Sequence, residues 1–191
     1  MDWMGIAFTV SVWTLPVLLA VTFHEAAHGW VAWRLGDETA YRLGRVTFNP
    51  LRHIDSFGTV LLPGLMLMAS GGTMMFGYAK PVPVNFAGLR RPRRDMVLVA
   101  LAGPGSNLLL ALLAAASIHL LTFLSGDVYQ WVGLNLVNAV RINLLLCVFN
   151  MLPMPPLGGG RVAVGLLPGA LGRRLARLER LGMVIILAGV F

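Results

Sequence analysis

Apolar residues run nearly unbroken through residues 5–33, 57–76, 96–124, 131–152 and 183–191, and the polar positions between these runs gather into short basic clusters. A helix needs about 20 apolar residues to cross a bilayer, so the runs at 5–33, 96–124 and 131–152 are each predicted to be a membrane-spanning helix. Trp3 and Trp33 sit where interfacial anchors belong on the first of them. The basic clusters are Arg34, Arg42, Arg45 and Arg52; Lys80, Arg90, Arg91, Arg93 and Arg94; and Arg161, Arg173, Arg174, Arg177 and Arg180. By the positive-inside rule all three face the cytoplasm. The first span then enters from outside, the second returns there, and Ser125, Gly126 and Asp127 lie in an external turn.

Two runs do not fit simple crossings. The 57–76 run has basic flanks at both ends, so a single crossing would break the charge rule. Pro63-Gly64 and Ser70-Gly71-Gly72 interrupt it, which favours a re-entrant or interfacial hairpin packed against protein, where irregular backbone is tolerated at membrane depth. The nine residues of the 183–191 run rise only about 13 Å, so either the natural chain continues beyond them or this end does not cross. Between the hairpin and the second span, AKPVPVN (79–85) alternates valine with proline and reads either as an edge strand that could pair with an unwound substrate or as a surface loop. Gly103-Pro104-Gly105 is expected to make a flexible or kinked point near the start of the second span. The expected architecture is therefore all-α and polytopic: one domain over 1–191, with 4–5 spanning or re-entrant segments and a small extended region.

Composition agrees with a membrane protein. The chain is 57% hydrophobic and 12% charged, against roughly 45–50% and 25% in soluble domains. No basic leader precedes the first apolar run, so a cleaved signal peptide is not expected. A net charge of +7 raises nucleic acid as a partner, but no aromatic-interleaved basic face accompanies it, and topology accounts for the clusters. Cys147 is alone and reads as packing.

Candidate chemistry lies at the end of the first span, in HEAAH (24–28). On a helix His24 and His28 share a face one turn apart and can reach one zinc ion, while Glu25 stands beside them as a general base for water that the metal activates. A pair of ordinary helical histidines is the alternative, but ionisable groups inside a span are costly and functional by default. A catalytic zinc usually has three protein ligands. Asn107, Asn143 and Asn150 lie within spans in apolar context and are further candidates, suited either to an oxyanion or substrate backbone or to interhelical hydrogen bonds. His119 falls at the external end of its span as an interface histidine. His53 and Asp55, in NPLRHIDSFG, read as turn and capping residues.

HEAAH, FNPLRHIDSFGT, FGYAKPVPVN, ALAGPGSNLLLAL and FNMLPMPPLGGGR, in this order, resemble the site-2 protease family of intramembrane zinc metalloproteases, in its compact bacterial branch, across about residues 15–167. The resemblance implies zinc held by His24 and His28, Glu25 as base, and substrate or transition-state contacts from Asn107 and Asn150. It also implies a transmembrane protein substrate and a bacterial inner-membrane location with the site toward the cytoplasm. One motif departs from the pattern. The family's Pro-Pro-Leu-Asp-Gly carries the third zinc ligand, and here the sequence reads Pro155-Pro156-Leu157-Gly158-Gly159. Asp55 is the one acid nominated as a relocated carboxylate. Two readings follow: a metalloprotease impaired at Gly158, and a catalytically inactive homologue that binds membrane segments. A transporter would show paired intramembrane charges and internal symmetry, and neither is present.

Overall fold

The computed structural model describes residues 3–69, 79–154, 157–168, 171, 172 and 175. Among the described residues, three helices are long and apolar enough to cross a membrane: α1 (Trp3–Arg34), α4 (Pro92–Ile118, continued as a 3₁₀ turn, His119–Phe123) and α5 (Gly126–Asn150). Between α1 and α4 lie the short α2 (Thr39–Arg42), a π-type turn (Ser56–Leu61) and α3 (Leu62–Ala69). After α5 comes α6 (Gly158–Leu166), packed on α4. The second half of the 57–76 hairpin, the 183–191 segment and most of the third basic cluster lie outside the described residues.

α1, α4 and α5 pack on one another, and their burial pattern is that of a membrane bundle. The interior holds small side chains, Ala20, Ala26, Ala100, Ala111 and Ala114, together with Thr22, Asn107, Asn138 and Asn143. Large apolar side chains such as Leu109, Leu112, Leu145 and Val148 point outward. Lipid supplies no hydrophobic drive between helices, so close approach of small residues and interhelical hydrogen bonds hold them together.

Two prolines fall inside spans. A helical proline leaves the carbonyl four residues earlier without its N–H partner. For Pro16 that carbonyl is Val12, and the Asn138 side-chain amide on α5 donates to it at 3.1 Å. For Pro104 it is Ala100, whose oxygen faces Gly158 at the start of α6. The expected kink at 103–105 is not an interruption: α4 runs through it as one helix. Gly103 serves close packing instead, as the site shows.

Residues 79–91 form a strap along the last third of α1, irregular over 79–85 and closed by a 3₁₀ turn at Phe86–Gly88. Lys80 N–H donates to the His53 carbonyl (3.0 Å), Asn85 N–H to Asp37 Oδ2 (2.7 Å) and Arg90 N–H to the Leu35 carbonyl (3.0 Å). The strap makes no strand ladder with any described residue. Pro81 and Pro83 have no N–H to give one. Gly29 lets it approach, since a Cβ there would sit 3.1 Å from Val82 Cγ1.

Candidate metal centre

His24 and His28 leave α1 toward α4, and each has its Nδ1 fixed. His28 Nδ1 lies 2.6 Å from the Val99 carbonyl, which can only accept. His24 Nδ1 lies 2.5 Å from Asn107 Oδ1. The Asn107 amide cannot be turned the other way, because its Nδ2 donates to the Ala20 carbonyl (3.1 Å) and to Asn143 Oδ1 (2.7 Å). Both imidazoles are therefore Nδ1–H tautomers with lone pairs on Nε2. Those two Nε2 atoms stand 3.1 Å apart.

Two lone pairs at that separation repel unless a cation lies between them. Two nitrogens each about 2.0–2.1 Å from one tetrahedral zinc stand about 3.3 Å apart, so the pair fits as two ligands of one ion. Gly103 makes the room on the α4 side. A Cβ there would meet His28 Nε2 and stand 2.6 Å from His24 Nε2.

Glu25 turns to the strap, where Val82 N–H donates to its Oε2 at 2.7 Å. The interaction joins the HEAAH helix to the extended segment, a connection that neither segment's local pattern encodes. On the other flank of α1, an apolar cavity of about 420 Å³ is lined by Phe23, Ala26, Ala27, Trp30, Phe48 and Ser106 among others.

The remaining candidates separate clearly. Asn107 is fully buried and its amide is engaged with His24, Ala20 and Asn143, so in this conformation it holds His24 and is not free to donate to an oxyanion. Asn143, missed as part of the site because its partner depends on helix register, anchors Asn107. Asn150 bonds back to Leu146 (2.9 Å) and its backbone oxygen faces Gly158. Gly158 lies between Asn150 and Ala100, the latter one residue past the carbonyl that fixes His28. Asp55 is not a relocated ligand: its carboxylate caps the π-type turn, accepting from Phe57 N–H (3.0 Å) and Gly58 N–H (2.7 Å). Among the described residues no group of three His, Cys, Asp or Glu side chains could hold an ion. His119 is exposed and Cys147 is a free, half-buried thiol.

His53 does more than shape a turn. It is buried, its Nε2 donates to the Thr47 carbonyl (2.9 Å), and its own carbonyl anchors Lys80. Burial holds its pKa below the ordinary value, the Thr47 hydrogen bond opposes this, and the Arg45 charge adds to the lowering.

The model of Peptidase family M50 matches residues 12–139. The chain belongs to this family, the site-2 protease family. It is 36% identical over 181 residues to "Putative zinc metalloprotease YwhC" of Bacillus subtilis, an alignment covering 91% of this chain and 77% of that protein. It is 32% identical over 170 residues to "Putative zinc metalloprotease Rip2" of Mycobacterium tuberculosis and 29% over 169 residues to that of Mycolicibacterium smegmatis, covering 89% and 88% of this chain and 62% of each relative. No solved structure matches the chain significantly. A membrane-embedded M50 metalloprotease scaffold accounts for the histidine pair, the adjoining glutamate and the three apolar helices together.

Proposed function

We propose that this M50 protein is an intramembrane zinc metalloprotease that cuts transmembrane segments of other membrane proteins, with its activity reduced by glycine at position 158. The observation that carries the reading is the convergence of two Nε2 lone pairs 3.1 Å apart on a helix long enough to span a bilayer. His24 and His28 would hold the ion. Bound there, zinc would polarise a scissile carbonyl and make water a better nucleophile.

The residues supply the rest. Asn107 and the Val99 carbonyl keep both imidazoles in the ligating tautomer, the role that outer partners play around metal-binding histidines. Glu25 accepts the proton from the attacking water and passes it to the leaving amine. Its Oε2 is steadied by Val82 N–H, and its other oxygen makes no hydrogen bond to a described residue. The apolar cavity beside Phe23 and Phe48 is suited to a large apolar side chain of an unwound substrate. The basic clusters support placing the site toward the cytoplasmic face of a bacterial inner membrane.

The inactive membrane-segment binder is the second reading, and Gly158 favours it. Zinc content and cleavage of a model transmembrane substrate, measured on the chain and on Glu25→Gln, separate the two. Glu25→Gln keeps an acceptor for Val82 N–H and both ligands, so zinc content should stay within about twofold while cleavage vanishes; the order-of-magnitude loss on removing a general base is about 10²–10⁴-fold. Undiminished cleavage by the variant would sink the mechanism, and zinc without any cleavage by the parent chain would favour the binder.

A further inference from the structure

Beside the strap is a cavity of about 460 Å³, lined by Arg45, Arg52 and Lys80 together with Leu43, Leu51, Pro81 and others, and by no acidic residue. Arg52 and Lys80 are exposed. The ion pair found among the described residues, Arg42 with Glu38, includes none of these three cations. Arg45 is 8% exposed, with its Nη2 donating to the Lys80 carbonyl at 2.6 Å and its buried Nε without a hydrogen-bond partner among the described residues. Beside the cations, Leu43 and Leu51 are 59% and 72% exposed. A buried arginine and two exposed cations that form no ion pair among the described residues, next to uncovered leucines, make a site that is cationic at one end and greasy at the other.

Its position in the bundle identifies the occupant. The cavity is walled by residues of the segment that follows α1 and of the strap, and Val82, between its wall residues Pro81 and Pro83, is hydrogen-bonded to Glu25 of α1. α1 has 32 residues, about 48 Å of helix, and so outruns a hydrocarbon core of about 30 Å. Arg34 closes α1, and Arg45, Arg52 and Lys80 belong to the basic clusters next to that end, so the cavity is placed beside the level of lipid headgroups, with the histidine pair below it. Basic pockets at that level attract anionic headgroups.

We propose that this cavity binds an anionic phospholipid, with its phosphate on Arg52, Lys80 and Arg45 and its glycerol and upper acyl chain against Leu43 and Leu51. The lipid would brace the strap while Val82 N–H holds Glu25. Lipid composition would then set how firmly the base is held. The binding itself does not depend on the protease reading.

The test is native mass spectrometry of the full chain in detergent, titrated with phosphatidylglycerol or phosphatidylcholine, beside the double variant Arg52→Gln/Lys80→Gln. Each cation lost should weaken phosphatidylglycerol binding about fivefold, roughly 30-fold for the pair, while phosphatidylcholine binding stays unchanged. Both substituted residues are exposed, and an unchanged melting temperature in lipid-free detergent shows that the variant still folds. Hydrogen exchange gives a second readout: phosphatidylglycerol should slow exchange across 79–85 in the parent chain and not in the variant. Equal binding of the two lipids, or an unaltered variant, overturns the proposal. Displacement by inorganic phosphate at concentrations equal to the lipid's would make the ligand a soluble phosphate, and displacement by a soluble acidic peptide would make it a protein segment; either result also overturns it.

Discussion

Gly158→Asp should raise zinc affinity at least tenfold, and the structure states what the substitution costs. A Cβ at 158 would stand 3.2 Å from the Ala100 and the Asn150 carbonyl oxygens, a few tenths of an ångström inside comfortable contact. Both neighbours are backbone atoms, which give less readily than side-chain tips, so the shift should cost about 1–3 kcal/mol. Position 158 opens α6, where a carboxylate gains about 0.3–1 kcal/mol from the helix N-terminus. Glycine itself is a poor helix former, which returns a few tenths more. Metal-free stability should thus fall by up to about 2 kcal/mol. The gain comes from the ion: losing even an outer partner of a metal ligand costs about 10–100-fold, so regaining a direct ligand should return at least that, about 1.4–2.8 kcal/mol. Competition with a chromophoric chelator, run on the parent, Gly158→Asp, Gly158→Ala and Gly158→Asp/His28→Ala, measures it. The alanine variant carries the steric change alone and should gain nothing, and the double variant should fall back to the parent value or below. If Gly158→Asp binds zinc no better than Gly158→Ala, position 158 does not face the histidines and the reasoning fails.

Other substitutions test the surroundings of the site. Gly103→Ala would drive a methyl group into both imidazoles, costing about 1–3 kcal/mol and most of the zinc affinity. Gly105→Ala meets nothing within 4 Å and should stabilise α4 by up to about 1 kcal/mol; thermal melts and zinc content of the pair compare them. Asn143→Leu removes the acceptor that orients Asn107 and should weaken zinc about tenfold, whereas Asn135→Leu, whose Oδ1 has no partner, should leave zinc affinity unaltered in the same chelator assay. His53 has a lowered folded pKa, so the folded state resists its protonation. Its contribution is complete above the unfolded value of about 6.5 and is lost as pH falls below that value. Between pH 7.5 and 5.5 the parent should lose more stability than His53→Gln, which a melting series at each pH would show; parallel losses would refute the assignment.

The spans and the zinc helix were legible because hydropathy and the i, i+4 spacing of His24 and His28 are local properties of one segment. The extended strap was legible for the same reason, from its valine and proline alternation. What it grips was not, since the Val82–Glu25 hydrogen bond joins residues 57 apart in sequence. Pro104 shows the limit most clearly. The sequence reveals a missing N–H and suggests a kink, but what lies against the freed Ala100 carbonyl is Gly158 of α6, which arrives from beyond the next span. Asn107 likewise announces itself as polar in lipid, while its attachment to His24 rather than to a substrate depends on the register of α4 against α1.

The proline in α1 bears on how the chain is made. Pro16 leaves the Val12 carbonyl to be satisfied by Asn138, 126 residues later, and hydrocarbon offers no water in its place. Until the third span emerges from the ribosome, the first carries an unanswered acceptor in its buried face. The nascent segment has reason to linger at the insertion machinery, and a chain truncated before Asn138 would keep that defect permanently, marking an unfinished product for the cell's membrane quality control.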